Sequence, residues 1–460
     1  MSSTVPKTEL VPWINNLPPD WETYRVDSVA DVLFSNVDKH TLDEEVPVLL
    51  CNYVDVYRNE KITGAINFMG ASAEPREIKR FQLNRGDVLV TKDSETPDDI
   101  AITALVSEEL PGVLCGYHLA MLRPRSKRIC GPYLAWLHSS KQFRAQYEAK
   151  AVGVTRFGLP QYAFRSAVIP LPSLPEQERI AAYLDASCTA LDSAVAAKRR
   201  QLETLEALRS DVIQRVVTRG ISENLELKKT GNFWMEEVPF SWDLVCLKRV
   251  SKIQTGLTLG KEYEGRLIER PYLRVANVQD GHLALEDVTT IEVPVEVAKR
   301  VELQVDDVLM TEGGDLDKLA RGYLWNGEIS GCLHQNHIFA VRCHRHKLLP
   351  KFLTYLTASR YGRDYFESTG KRTTNLASTN ATKVGAFPLP LPSVKEQAQL
   401  VEYLEEQLDG LRSLANNLQQ QISTLLAYRK SLIHECVTGQ RRVTEADMAR
   451  LKNDNSSGMM

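Results

Sequence analysis

The chain has no apolar run near the roughly 18 residues that a membrane span needs, and its first residues lack the apolar stretch of a secretory leader. Its eight cysteines are scattered over 460 residues without repeated close pairs. That argues against a disulfide framework and for reduced thiols in a cytoplasmic protein. An excess of one charge is missing too, with 56 Lys plus Arg against 59 Asp plus Glu. Such a balance does not announce a nucleic-acid binder, yet a local basic face can hide in an average. There is no P-loop and no glycine-rich cofactor loop. The Asn/Asp-Pro-Pro-aromatic motif of a DNA methyltransferase is absent, because Leu17-Pro18-Pro19-Asp20 lacks both the amide and the ring. A metal-assisted nuclease needs clustered carboxylates and a lysine. Glu77-Ile78-Lys79 is a fragment of that pattern without a duplicated partner, and a charged helix or loop explains it better. The chain is not expected to be an enzyme.

What the sequence does contain is a repeat. Pro170-Leu171-Pro172-Ser173-Leu174-Pro175-Glu176-Gln177 is echoed by Pro390-Leu391-Pro392-Ser393-Val394-Lys395-Glu396-Gln397. Leu83, Asp87, Val88, Leu89 and Thr91 align with Leu303, Asp307, Val308, Leu309 and Thr311. Trp21 aligns with Trp242, each behind a proline. Three landmarks in one order, at offsets of 220 or 221, mark a tandem of two equivalent units. Length alone suggests about three domains.

Each unit divides in two. The front part carries short β-like runs, Val46 to Leu50, Asp87 to Thr91, Tyr272 to Ala276 and Asp307 to Thr311, broken by Gly, Pro and Asn. Helical patterns follow a proline at Pro132 to Tyr147 and Pro350 to Phe366. An α/β (α+β) globular domain is expected in each front part, its topology left open. The back part, Glu176 to Arg219 and Glu396 to Thr438, is almost free of glycine and proline. Leucines at 404, 411, 418, 425 and 432 keep a seven-residue spacing, with Leu408, Ala415, Ile422, Arg429 and Cys436 beside them. The first copy gives Leu184, Leu191, Lys198, Leu205 and Val212, beside Cys188, Val195, Leu202, Arg209 and Val216. These are heptad seams with charged interruptions that weaken packing and help fix register. The expected helix-pairing residues are Leu184, Leu191, Leu205, Val212, Leu404, Leu411, Leu418, Leu425 and Leu432. Ser173 and Ser393, each with Glu at +3, predict capping boxes. Helices of this length reach roughly 65 Å.

An apolar seam needs a partner. The simplest arrangement is an intramolecular antiparallel coiled coil with a pseudo-twofold axis and a globular domain at each end; a parallel coiled coil with a second copy is the alternative. The expected boundaries are 1–172 and 222–392 for the globular domains, 173–221 and 393–443 for the helices, and 444–460 for a frayed, disordered tail.

The alternation of variable domain and helical spacer, twice over, resembles the specificity subunit of Type I restriction-modification systems, HsdS. The resemblance covers nearly the whole chain. It is carried by the two Pro-Leu-Pro-x-x-x-Glu-Gln segments, by Leu17-Pro18-x-x-Trp21 and by Gly86-Asp87-Val88-Leu89. The second copy departs at Val238-Pro239 and at Asp306. The resemblance implies two target recognition domains, each reading half of a split, asymmetric double-stranded DNA sequence, with the helices setting the gap. It also implies two methyltransferase subunits that bind S-adenosylmethionine and modify adenine, and two restriction (motor-nuclease) subunits that use ATP and Mg. No cofactor and no catalytic residue are expected in this chain, and no membrane partner. A rod of roughly 65 Å spans at most about 19 base pairs. A coiled-coil scaffold binding only protein is the alternative function.

DNA contact needs donors and acceptors at base edges and cations at phosphates. In the second unit the candidate is Gly370-Lys371-Arg372-Thr373-Thr374-Asn375; its counterpart is Gly153-Val154-Thr155-Arg156-Phe157-Gly158. An ordinary solvated loop is the plain alternative. The loop after the Asp-Val-Leu strand is a further candidate, with Lys92 in the first unit and Lys318 and Arg321 in the second. Arg123, Arg125, Lys127 and Arg128 read better as a solvated edge. Cys332, His334, His337, Cys343, His344 and His346 suit zinc by type but not by spacing. No metal is expected, and His337 belongs either in the core or near the DNA groove with Gln335 and Asn336.

Overall fold

The computed structural model describes residues 17–457 apart from 223, 262, 280, 315–318, 321 and 373–376. The chain forms two compact units, residues 1–198 with 420–460, and residues 199–419.

In the first unit the central sheet has five strands. Its middle pair is β1 (Val88–Thr91) and β2 (Leu119–Pro124), antiparallel with Leu119 opposite Thr91 and Leu122 opposite Val88. β1 is buried on both faces, so it reads as a continuous apolar run instead of an alternation. One face packs on α1 (Gly131–Ser139), α2 (Lys141–Glu148) and the start of α3 (Leu174–Arg219), through Tyr133, Leu134, Phe143 and Ile180. The sequence predicts one helix over 132–147. The structure breaks it at Ser140, whose extended backbone (φ -70°, ψ 123°) ends one helix and opens the next.

The second unit repeats this plan. β3 (Val308–Thr311) and β4 (Ile338–Cys343) are antiparallel, with Val308 opposite Val341 and Thr311 opposite Ile338. Helices α4 (Pro350–Ala358) and α5 (Arg360–Thr369) replace the single predicted helix. Ser359 caps the second of them, its hydroxyl accepting from the Gly362 N–H at 3.2 Å. The predicted run Tyr272 to Ala276 is the end of strand Leu267–Leu273 followed by a short 3-10 turn.

The aspartate of the repeated Asp-Val-Leu motif is structural in both units. Asp87 and Asp307 are buried just before β1 and β3, and each accepts a two-pronged bond from an arginine on the neighbouring strand. Arg123 reaches Asp87 at 2.9 and 2.7 Å, and Arg342 reaches Asp307 at 2.8 and 2.7 Å. A buried carboxylate paired this way is costly to disturb from one side. The residue before it is Gly86 in one copy and Asp306 in the other, yet both take the left-handed backbone, with φ of 93° and 74°. The departure in sequence thus leaves the turn unchanged.

The long helices are α3, of 46 residues, and α6 (Val394–Val437), of 44. Residues 174–198 and 420–437 belong to the first unit, 199–219 and 394–419 to the second. Within the first unit the helices run antiparallel: Asp192 meets Arg429, and Lys198 meets Gln421. Leu184 and Leu432 are fully packed there, while Leu191 and Leu425 are half-buried. Within the second unit Leu404 is buried beside Ile213 and Val216, with Val212 and Leu411 packed at the margin. Leu418 is buried and Leu205 half-buried. The charged interruption Arg429 is answered by Asp192 at 3.0 Å and by Glu60 at 2.6 and 2.7 Å, over the face of Trp136. Gly410 lies inside α6 with open space where a side chain would stand.

The capping-box expectation holds by half at Ser393, whose hydroxyl accepts from the Glu396 N–H at 3.3 Å, and is corrected for the carboxylates. Glu176 and Glu396 turn toward indoles: Trp21 Nε1 donates to Glu176 at 3.2 Å and Trp242 Nε1 to Glu396 at 2.9 Å. The adjacent glutamines are buried clasps. Gln177 accepts from the Cys130 N–H and donates to the carbonyls of Arg128 and Pro172. Gln397 does the same with Leu349, Lys347 and Pro392. The repeated Glu-Gln therefore fixes each long helix to its own globular domain by satisfying backbone groups that would otherwise be stranded.

The tail expectation is corrected as well. Glu445–Ser457 is a helix, α7. Thr444 and Asp447 cap it reciprocally, at 2.9 and 3.2 Å, and Met448 and Leu451 pack on the first core. Polar composition concealed a capped turn with two apolar anchors.

Candidate nucleic-acid interface

In each unit the two candidate segments, far apart in sequence, meet in one small sheet. In the first unit Asp93–Ser94, leaving β1, pairs with Phe157–Gly158, which pairs in turn with Val152–Gly153. In the second, Gly313–Gly314, leaving β3, pairs with Ala377–Ser378, and that strand with Lys371–Arg372. Strands of two residues have too few positions to show an alternating pattern, so periodicity could not reveal them. The sheet is possible because glycine allows a close approach. A side chain at Gly153 would strike the Arg156 carbonyl oxygen at 1.9 Å.

The first unit's site is an open cleft of 680 Å³ lined by Phe34, Lys92, Tyr117, His118, Arg156 and Tyr162, among others. The Lys92 ammonium lies 5.1 Å from the Phe34 ring centre and 4.5 Å from that of Tyr117. Burial pushes it below the ordinary lysine value, against the upward pull of Asp93. Arg156 lines the cleft and Thr155 is exposed beside Val154, at the hairpin tip. Tyr117 and Tyr162 are half exposed or more. Cationic groups beside exposed rings and hydroxyls suit a polyanion with flat bases.

In the second unit Lys371 is exposed and the backbone of Arg372 is in the paired strand. Lys318, Arg321, Thr373, Thr374 and Asn375 lie outside the described residues. The equivalent of Lys92 is Glu312, so the two units differ in charge at this position. His337 stands beside Glu312 with its side chain 52% exposed. Of the two places expected for it, the core is excluded. His334 is the buried one, its Nδ1 2.9 Å from the Ile338 carbonyl, and burial lowers its pKa to about 4. Among the described residues no group of three His, Cys, Asp or Glu is placed to hold a metal. His118, paired with Asp93, is not among the expected DNA contacts; with Cys115 it is only the first unit's counterpart of the second unit's histidine and cysteine cluster.

The basic run behaves as an edge held by ion pairs and carbonyls. Arg123 is committed to Asp87, Arg125 to Asp31 at 2.8 Å, and Arg128 to the Ser28 carbonyl at 3.2 Å. Among the described residues no helix is long and apolar enough to cross a membrane.

Residues 18–206 match the family model described as Type I restriction modification DNA specificity domain. The chain is 24% identical over 456 residues to the StySPI type I restriction enzyme specificity subunit of Salmonella potsdam, covering 95% of this chain and 93% of that one. It is also 24% identical over 465 residues to the EcoKI specificity subunit of Escherichia coli K12, covering 96% and 94%. Among solved structures, a chain from a study of complex assembly and conformational transition in the type I R-M system superposes with a TM-score of 0.70 at 18% identity, covering 92% of this chain and 98% of that one. The HsdS subunit of Thermoanaerobacter tengcongensis superposes with a TM-score of 0.51 at 19% identity, with the same coverage. The fold is that of the solved HsdS structures: α/β domains in tandem with two long helices. Over nearly its whole length the chain is similar to specificity subunits of Type I restriction-modification systems, and the family model of their DNA specificity domain spans residues 18–206.

Proposed function

We propose that this chain is the DNA-reading subunit of a Type I restriction-modification complex. Each globular domain reads one half of a bipartite double-stranded target, and α3 and α6 set the unspecified gap. The observation that carries the reading is the small sheet repeated in both units, which gathers the Lys92 loop with the Arg156 hairpin and the Glu312 loop with the Lys371 strand. Such a sheet offers backbone and side-chain polar groups on a rigid support, as a base-reading surface requires. The unlike residues at 92 and 312 support half-sites of different sequence.

The helices suit a spacer because α3 extends about 69 Å along its axis, long against the 3.4 Å rise of one base pair. The finer reading is a complex with two methyltransferase and two restriction subunits in the cytoplasm. S-adenosylmethionine, ATP and Mg act in those partners, and the chemistry of adenine methylation and cleavage is theirs.

Footprinting on duplex DNA tests the proposal. Two short protected blocks of unlike sequence around an indifferent gap are expected. Sequence-blind protection would instead favour a scaffold that binds only protein, and DNA modification or cleavage by the purified chain alone would make it an enzyme.

A further inference from the structure

We infer that His118 and His337 are base-reading residues, one in each unit, each aimed by a carboxylate on the facing loop. The inference rests on the DNA-reading proposal and deepens it. Both histidines stand immediately before equivalent strands, His118 before β2 and His337 before β4. His118 Nδ1 is 2.7 Å from an oxygen of Asp93, and His337 Nδ1 is bonded to Glu312.

The carboxylate does not come from the same place. The first unit reads Lys92-Asp93 where the second reads Glu312-Gly313. The acid has moved by one position and the pair has persisted. Divergence without a constraint on the imidazole would not keep it.

Holding the loop is not what the pair is needed for. The backbone already does that: the Lys92 N–H donates to the His118 carbonyl at 3.2 Å, and the Glu312 N–H to the His337 carbonyl at 2.8 Å. The imidazoles themselves are 41% and 52% exposed. His118 shares its cleft with Lys92, Tyr117 and Arg156. A carboxylate that accepts a hydrogen bond from Nδ1–H fixes the ring's orientation and leaves Nε2 as its remaining hydrogen-bonding atom. A single aimed nitrogen suits one donor or acceptor on a base edge.

The test compares the wild-type chain with His118→Ala and His337→Ala, each bound to its methyltransferase partner and presented with duplexes randomised in both half-sites. His118→Ala is expected to lose base preference about tenfold or more at one position of one half-site, and His337→Ala to do so in the other half-site only. Asp93→Asn is expected to weaken the same position as His118→Ala, to a lesser degree, since it acts by positioning. His118→Asn or His337→Asn serves in place of the corresponding alanine variant where its melting temperature falls. Uniform weakening across all sequences would make the histidines phosphate contacts and overturn the inference. Unchanged preferences would overturn it too. A wild-type chain that selects no bipartite sequence would instead overturn the DNA-reading proposal beneath it.

Discussion

His138 sits in the first unit's core with no exposed surface and both ring nitrogens engaged. Nδ1 lies 2.8 Å from the Leu134 carbonyl and Nε2 lies 2.9 Å from the Tyr147 hydroxyl. The first contact requires Nδ1–H to donate, and the second lets Nε2 accept from the phenol, so the ring is held neutral. Burial lowers its pKa to about 4 from 6.5. His334 in the second unit has the same shift for the same cause. The sign follows directly. Between those values the unfolded chain binds protons that the folded chain refuses, so acid favours unfolding. The stabilisation is complete above pH 6.5 and is lost progressively as pH falls toward 4. The melting temperature should therefore fall between pH 7 and pH 5, and His138→Phe should flatten part of that slope. A slope that the substitution leaves intact would show that other groups dominate. At this scale much was hidden in the sequence. Asp87 and Asp307 were visible as repeated residues, but their arginine partners lie on strands distant in sequence. His118 carried no local signal for DNA contact.

At the scale of elements, the long helices were the most legible feature, since their seven-residue leucine spacing needs no tertiary context. Their ends were less so. Glu176 and Glu396 stand at capping-box spacing, yet the indoles of Trp21 and Trp242 claim them. A carboxylate near a buried N–H donor from another element will prefer it to an exposed local turn, because the stranded donor costs more. The small paired sheets were half legible. Both members of each pair stood out by composition, but their meeting depends on two-residue strands and on Gly153, where no pattern is long enough to read. The helices also give the sharpest test of spacing. Deleting Leu205–Leu208 removes about 6 Å of helix and little more than one turn, which keeps the apolar seam close to its register. The gap between half-sites should change while both half-sites stay the same, as read by binding to a library of targets with graded gaps. An altered half-site at constant gap would contradict the spacer role.

At the scale of the whole molecule, the duplication is the property from which the rest descends. Each unit has its own core, its own Trp–Glu and Gln clasps and its own small paired sheet. Independent cores of this kind allow one unit to change while the other is kept. The sequence announced this through three repeated landmarks, and the shared geometry explains why those landmarks survive divergence: they hold helix to domain and strand to strand. On the proposed reading, side chains around the small sheets select the bases, and the two copies differ there at Lys92 and Glu312. The measurement that addresses the central claim is single-molecule methylome sequencing of a host carrying the chain with its methyltransferase partner, beside a host in which residues 1–169 come from another family member. The first host should show methylated adenines in two short unlike blocks around a fixed gap, and the second should differ in one block alone. Methylation in a single contiguous motif, or replacement of both blocks by the exchange, would contradict the account.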